Sequence, residues 1–239
     1  MRMILAQAGL ETRMLLRNGE QLLLTMIIPT LLLVVFSRAS VVRPAHGERI
    51  DFVAPGVLAL AVMSTAFTGQ AIATGFDRRY GVLKRLAVSP LPRWGLLAGK
   101  TLAVLAVELL QIALLAGIAL GLGWSVHGNP LVVALLLLAG TAAFTGLGLL
   151  MAGTLRAEAT LAAANVIFLL LVVGGGIVAP LSHFGSAGTA LRATPSAALS
   201  GGLRDVFTGS AGVPWAGLGV LVCWAGAAGG LAARFFRWE

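Results

Sequence analysis

Residues 77–100, DRRYGVLKRLAVSPLPRWGLLAGK, carry six of the seventeen Lys and Arg residues of the chain and lie between two long apolar runs. Val82, Leu83 and Leu86 fall on one helical face, with Arg78, Arg79, Lys84 and Arg85 around them. Pro90 and Pro92 end that helix, because proline supplies no backbone N–H and crowds the preceding turn. The spacing therefore predicts a short amphipathic helix lying across a membrane surface, rigidly joined to two spans. Such a helix is mechanically suited to pass a push from a docked protein into a bundle. The same charges also suit a plain loop that holds topology.

The rest of the chain agrees with a membrane setting. Of its 239 residues, 58% are hydrophobic and 11% charged, with a mean hydropathy of +0.95; soluble domains carry about a quarter charged residues. The expected class is an all-α integral membrane protein. A net charge of +8 raises nucleic acid as a partner, but the cations sit in loops between apolar runs, which argues against it. The single cysteine, Cys223, allows neither an intrachain disulfide nor a cysteine metal cluster. Arginine greatly outnumbers lysine, and with abundant Ala and Gly this points to a GC-rich bacterial genome and the inner membrane.

A spanning helix needs about 20 mostly apolar residues. Six windows qualify, at about 21–37, 52–75, 96–123, 131–154, 160–179 and 213–233, forming a six-span membrane domain over 21–239 with a basic loop at 76–95. Pro29 deletes one internal hydrogen bond from the first. A cleaved signal peptide is disfavoured, since Glu11, Arg13, Arg17 and Glu20 precede that run. Residues 1–20 read instead as an interfacial amphipathic helix, with Ile4, Leu5, Ala8, Leu15 and Leu16 at roughly helical spacing. With the amino terminus inside, Lys and Arg number twelve inside against five outside, so both termini are expected in the cytoplasm.

The segment 181–212 is too apolar for an ordinary loop and too broken by Gly and Pro for a span. Leu199, Leu203, Val206 and Phe207 form a stripe after Pro195, which predicts half-helices dipping back into the bilayer from outside. Within the spans, Glu108 lies some twelve residues into the third, where a charge costs on the order of 2.5–3.5 kcal/mol. It is expected either to bond a polar group of a neighbouring helix or to meet substrate or a coupling proton, with Gln111 its nearest polar neighbour in sequence. The small residues Ala113, Gly117 and Gly121, and glycines 140, 146, 148 and 153, are expected to let helices pack closely.

The run from Asp77 through Gly81, Leu83, Arg85, Leu86 and Ser89 to Pro90, followed by Gly99-Lys100, resembles the signature of type-2 ATP-binding-cassette exporter permeases of the drug and lipid kind. Arg17-Asn18 ahead of the Pro29-containing span is similar to their N-terminal connecting helix, and the six-span layout matches over nearly the whole chain. The chain departs from them in carrying Arg79 and Lys84 where glutamates are usual, which implies an acidic docking surface on the partner. The resemblance implies a permease subunit that binds no cofactor, with ATP and Mg on separate cytoplasmic ABC ATPase subunits, and a homodimer or a heterodimer with a related permease. It implies that Asp77, Arg78, Arg79, Gly81, Leu83, Lys84, Arg85, Leu86 and Pro90 couple to the ATPase, with Arg156 and Glu158 as a second contact. Spans two and five would line the path, making Phe67, Gln70, Asn165 and Phe168 candidates for it beside Glu108 and Gln111. Membrane lipids would surround it, and some amphiphile would be its cargo.

Two apparent nucleotide motifs fail. Gly95 to Thr101 is one residue short of a P-loop, with Trp94 where its first glycine belongs, and Leu199-Ser-Gly-Gly202 is followed by leucine. No H-E-x-x-H or G-x-S-x-G occurs either. The rival readings are an ion- or proton-driven carrier using Glu108 and a non-transporting membrane assembly factor.

Overall fold

The computed structural model describes residues 2–17, 19–38, 49–87, 93–177, 181–209 and 212–236, and among them every regular element is helical. In chain order these are α1 (Arg2–Arg17), α2 (Gly19–Arg38), α3 (Arg49–Met63), α4 (Gln70–Arg79), α5 (Val82–Ala87), α6 (Arg93–Gly121), α7 (Pro130–Thr154), α8 (Ala157–Gly174), α9 (Gly185–Leu191), α10 (Pro195–Phe207) and α11 (Trp215–Phe235). Among the described residues, five helical stretches are long and apolar enough to cross a membrane: Arg49–Arg79, Trp94–Gly121, Pro130–Thr154, Ala157–Gly174 and Trp215–Phe235. The window expected at 21–37 lies in α2, a 20-residue helix that continues through Pro29, with the apolar stretch Thr25–Arg38 among the described residues.

Local chemistry sets the helix ends. Asn129 caps α7, its side-chain oxygen accepting from the Leu131 N–H at 2.9 Å, with Pro130 at the first helical position where a missing N–H costs nothing. Thr194 and Pro195 start α10 in the same way. The run Gly174-Gly175-Gly176 stops α8 earlier than the window to 179 implied; Gly176 takes φ +65°. Conversely, the second span extends beyond 52–75 to Arg49 and Arg79, because its charged flanks continue the helix.

The helix Arg49–Arg79 is the axis of the bundle. Its apolar window is 83% buried, against 17% for α8 and for α11, which turn Leu169, Leu170, Val173, Val222 and Leu231 outward. Midway, Ser64–Gly69 widens into a π-helical turn, and α7 crosses it closely: a Cβ on Gly148 would sit 2.8 Å from the Phe67 carbonyl oxygen. Gly146 similarly admits α11, its Cβ position lying 2.9 Å from the Gly229 nitrogen. Gly117 and Gly121 behave otherwise, with nothing within 4 Å of an added Cβ, so that half of the expected small-residue packing is not used within the chain.

Candidate functional site: the basic end of the bundle

At the end of α4 the chain turns at Tyr80 and Gly81, where Gly81 adopts φ +72°, a conformation costly for any residue with a Cβ. This turn releases α5 as a separate short helix. Leu83 is its anchor, fully buried in a small apolar cluster with Leu96, Leu149, Ala232 and Phe236, and so tied to α6, α7 and the end of α11. Val82 and Lys84 of the same helix are exposed. Arg85 and Leu86 lie in α5, with no side-chain placement among the described residues, and Pro90 falls outside the described residues, as does Asn18.

The cations around this helix divide into tethers and open groups. Arg78 donates to the Ala152 carbonyl at 2.9 Å, joining α4 to the end of α7. Arg79 pairs with Glu158 at the start of α8. Together with Tyr80, Gly81, Lys84 and Arg156, these residues line an open cleft of about 620 Å³. The structure thus brings residues of both expected contact regions, Arg78–Gly81 with Lys84 and Arg156–Glu158, to one cleft.

Beside it lies a joint that sequence reasoning missed. Lys100, 2% exposed, reaches Glu11 of α1 and Asp77 of α4 at 2.9 Å each, and Gln7 donates to the same Glu11 oxygen at 3.0 Å. A buried ammonium between two carboxylates is held only if both stay in place. Lys100 therefore ties α1, α4 and α6 together at the point where α5 departs. In the sequence Glu11 stands out only as one of the charges ahead of the first apolar run.

The proposed path residues scatter. Phe67, Gln70, Glu108 and Gln111 are buried, Phe168 is partly buried, and Asn165 is exposed on α8, donating to the Leu161 carbonyl at 2.9 Å. Gln70 donates to the Thr74 hydroxyl. Glu108 meets Thr141 of α7, with 2.5 Å between the hydroxyl and Oε2, while its Oε1 has no partner. Gln111, its neighbour in sequence, turns elsewhere, accepting from Thr65 at 3.0 Å and donating to the Thr25 carbonyl at 2.5 Å. These bonds join α2, the π-helical turn, α6 and α7.

The far end of Arg49–Arg79 is built differently. Arg204 of α10 donates from Nε to the Phe52 carbonyl at 3.2 Å, from Nη1 to that of Gly176 at 2.7 Å and from Nη2 to that of Ile177 at 3.1 Å; its guanidinium lies 3.7 Å from the centre of the Phe52 ring. The expected stripe Leu199, Leu203, Val206 and Phe207 is buried beneath it.

A multi-helix membrane bundle with a short, anchored, cation-lined helix at one end is suited to take up a push from a docked partner. The family model of the ABC-2 type transporter matches residues 7–207. The chain belongs to that family: it is a permease subunit of an ABC transporter, a transport subunit whose family implies pairing with ABC ATPase subunits. No curated protein matches it.

Proposed function

We propose that the chain is one half of a paired bacterial inner-membrane exporter that moves drug-like or lipid-like amphiphiles outward, driven by ATP and Mg bound on separate cytoplasmic ABC ATPase subunits. Both termini are cytoplasmic, α2 is the sixth span, and α9 with α10 re-enter the bilayer from outside. The observation that carries this reading is the cleft at the basic end, where Leu83 roots α5 in the bundle while Lys84, Tyr80 and Arg156 stay open to a partner. Closure of the ATPase pair pushes α5, and the Lys100 joint passes the displacement to α1 and α6 together. Asp77, Arg78, Arg79, Gly81, Arg85, Leu86, Pro90 and Glu158 complete the coupling region, and an acidic ATPase surface complements it. The apolar outer faces of α8 and α11 meet lipid or the second permease, which is a second copy or a relative, and spans Arg49–Arg79 and α8 line the path with Phe67, Gln70, Asn165 and Phe168.

The test is co-expression with a candidate cytoplasmic ABC ATPase from the same organism, sought first in the neighbouring reading frames. The permease is expected to co-purify with that ATPase and to support ATP-driven accumulation of amphiphilic dyes inside inverted vesicles, whose lumen is the former outside, which is efflux in the cell. Leu83→Asp should abolish efflux and weaken co-purification. Efflux driven by a proton gradient without the ATPase, or undiminished in Leu83→Asp, would refute the reading.

A further inference from the structure

At the end remote from α5, a cavity of about 330 Å³ is lined by Asp51, Phe52, Ser125, His127, Arg204 and Phe207, among others. Two opposite charges face it without pairing with each other. Asp51 Oδ1 is buried with no hydrogen-bond partner among the described residues. Arg204 commits Nε and one N–H from each terminal nitrogen to the Phe52, Gly176 and Ile177 carbonyls, which leaves two of its five N–H groups. The wall is aromatic: Phe207 packs edge-on against Trp124 with centroids 4.8 Å apart, and Trp124, 4% exposed, keeps an Nε1–H without a partner. A carboxylate acceptor, spare guanidinium donors and an apolar wall in one cavity are the complement of a headgroup that carries both charges on an apolar body.

We propose that this cavity binds the headgroup of a zwitterionic amphiphile, with a primary ammonium on Asp51 and an anionic group on the spare Arg204 N–H groups, assisted by Ser125 and His127. It deepens the export reading, on which it rests only for placing the cavity on the outer side. The headgroup belongs either to a resident lipid or to cargo, and the chemistry is the same for both.

The test uses the full permease in detergent without nucleotide, titrated with dihexanoyl phosphatidylethanolamine, the matching phosphatidylglycerol, which lacks the ammonium, and the matching phosphatidylcholine, which lacks its N–H donors. The ethanolamine lipid is expected to bind about tenfold or more tighter than either, the scale of one charge-assisted hydrogen bond. Asp51→Asn should bring the three affinities together without lowering the melting temperature, and Asp51→Glu should keep the preference. Equal binding of the three lipids by the native chain, or a preference that survives Asp51→Asn, overturns the proposal. ATP-driven movement of a labelled phosphatidylethanolamine in proteoliposomes identifies the ligand as cargo, and binding without movement as a resident lipid; both support the site. Leu83→Asp, which breaks coupling, should leave the binding preference intact, so failure of the export reading and failure of this site give different results.

Discussion

The two ends of the helix Arg49–Arg79 hold their central cations, Lys100 and Arg204, differently. At the α5 end, side chains from different helices pair with one another: Lys100 with Glu11 and Asp77, and Arg79 with Glu158. At the other end, Arg204 is held by three backbone carbonyls and an aromatic face. Ion pairs between helices can part and re-form as the helices shift, whereas an arginine caged by backbone fixes the shape of the segment around it. The contrast suits a machine that takes in work at the first end and keeps defined cavities at the second.

Breaking the Lys100 joint should have the largest effect. Lys100→Met leaves the buried Glu11 and the half-buried Asp77 without their cation, at a cost of up to about 3–5 kcal/mol. Thermal melting of the purified permease should fall accordingly, and the triple variant Lys100→Met with Glu11→Gln and Asp77→Asn should recover part of the loss. Arg204→Lys comes next: an ammonium cannot reproduce the fork that serves three carbonyls, and each carbonyl left unpaired costs about 1–3 kcal/mol. Proteolysis should then shift to the segment around Gly176. If Arg204→Lys melted like the native chain, the contrast between the ends would fail.

Smaller effects sharpen it. Gly81→Ala meets no neighbouring atom, so its cost is the left-handed backbone alone, roughly 1–2 kcal/mol. The melting temperature should drop modestly while ATP-driven efflux drops more, because the turn directs α5. Arg79 and Glu158 have side chains 51% and 64% exposed, so Glu158→Gln should leave melting unchanged and show its effect only in the salt dependence of ATPase binding.

Much of this architecture was legible in the sequence because it follows from runs of apolar residues. Five of the six expected spans, the short helix after Gly81 and the helix after Pro195 each have a length or a period that hydrophobicity alone sets. Glycines 146 and 148 were legible as close-packing residues, and Gly117 was not, for the same reason: glycine spacing says that a helix can be approached, not that a neighbour is there. The polar joints were hidden because their partners are far apart in sequence. Glu11 and Lys100 stand 89 residues apart, and Glu108 meets Thr141 across two helices instead of Gln111 one turn away. Periodicity gives the face on which a polar residue lies; the packing of the bundle decides which residue it meets.

The central claim, that a partner ATPase engages the α5 end and not the opposite one, is tested most directly by cysteine crosslinking. In a Cys223→Ser background, Tyr80→Cys and Ser125→Cys place one exposed thiol at each end. With the co-expressed ATPase and a short bifunctional maleimide, Tyr80→Cys should yield a permease–ATPase adduct whose amount changes on adding ATP, and Ser125→Cys should yield none. An adduct at Ser125→Cys with none at Tyr80→Cys would contradict the account.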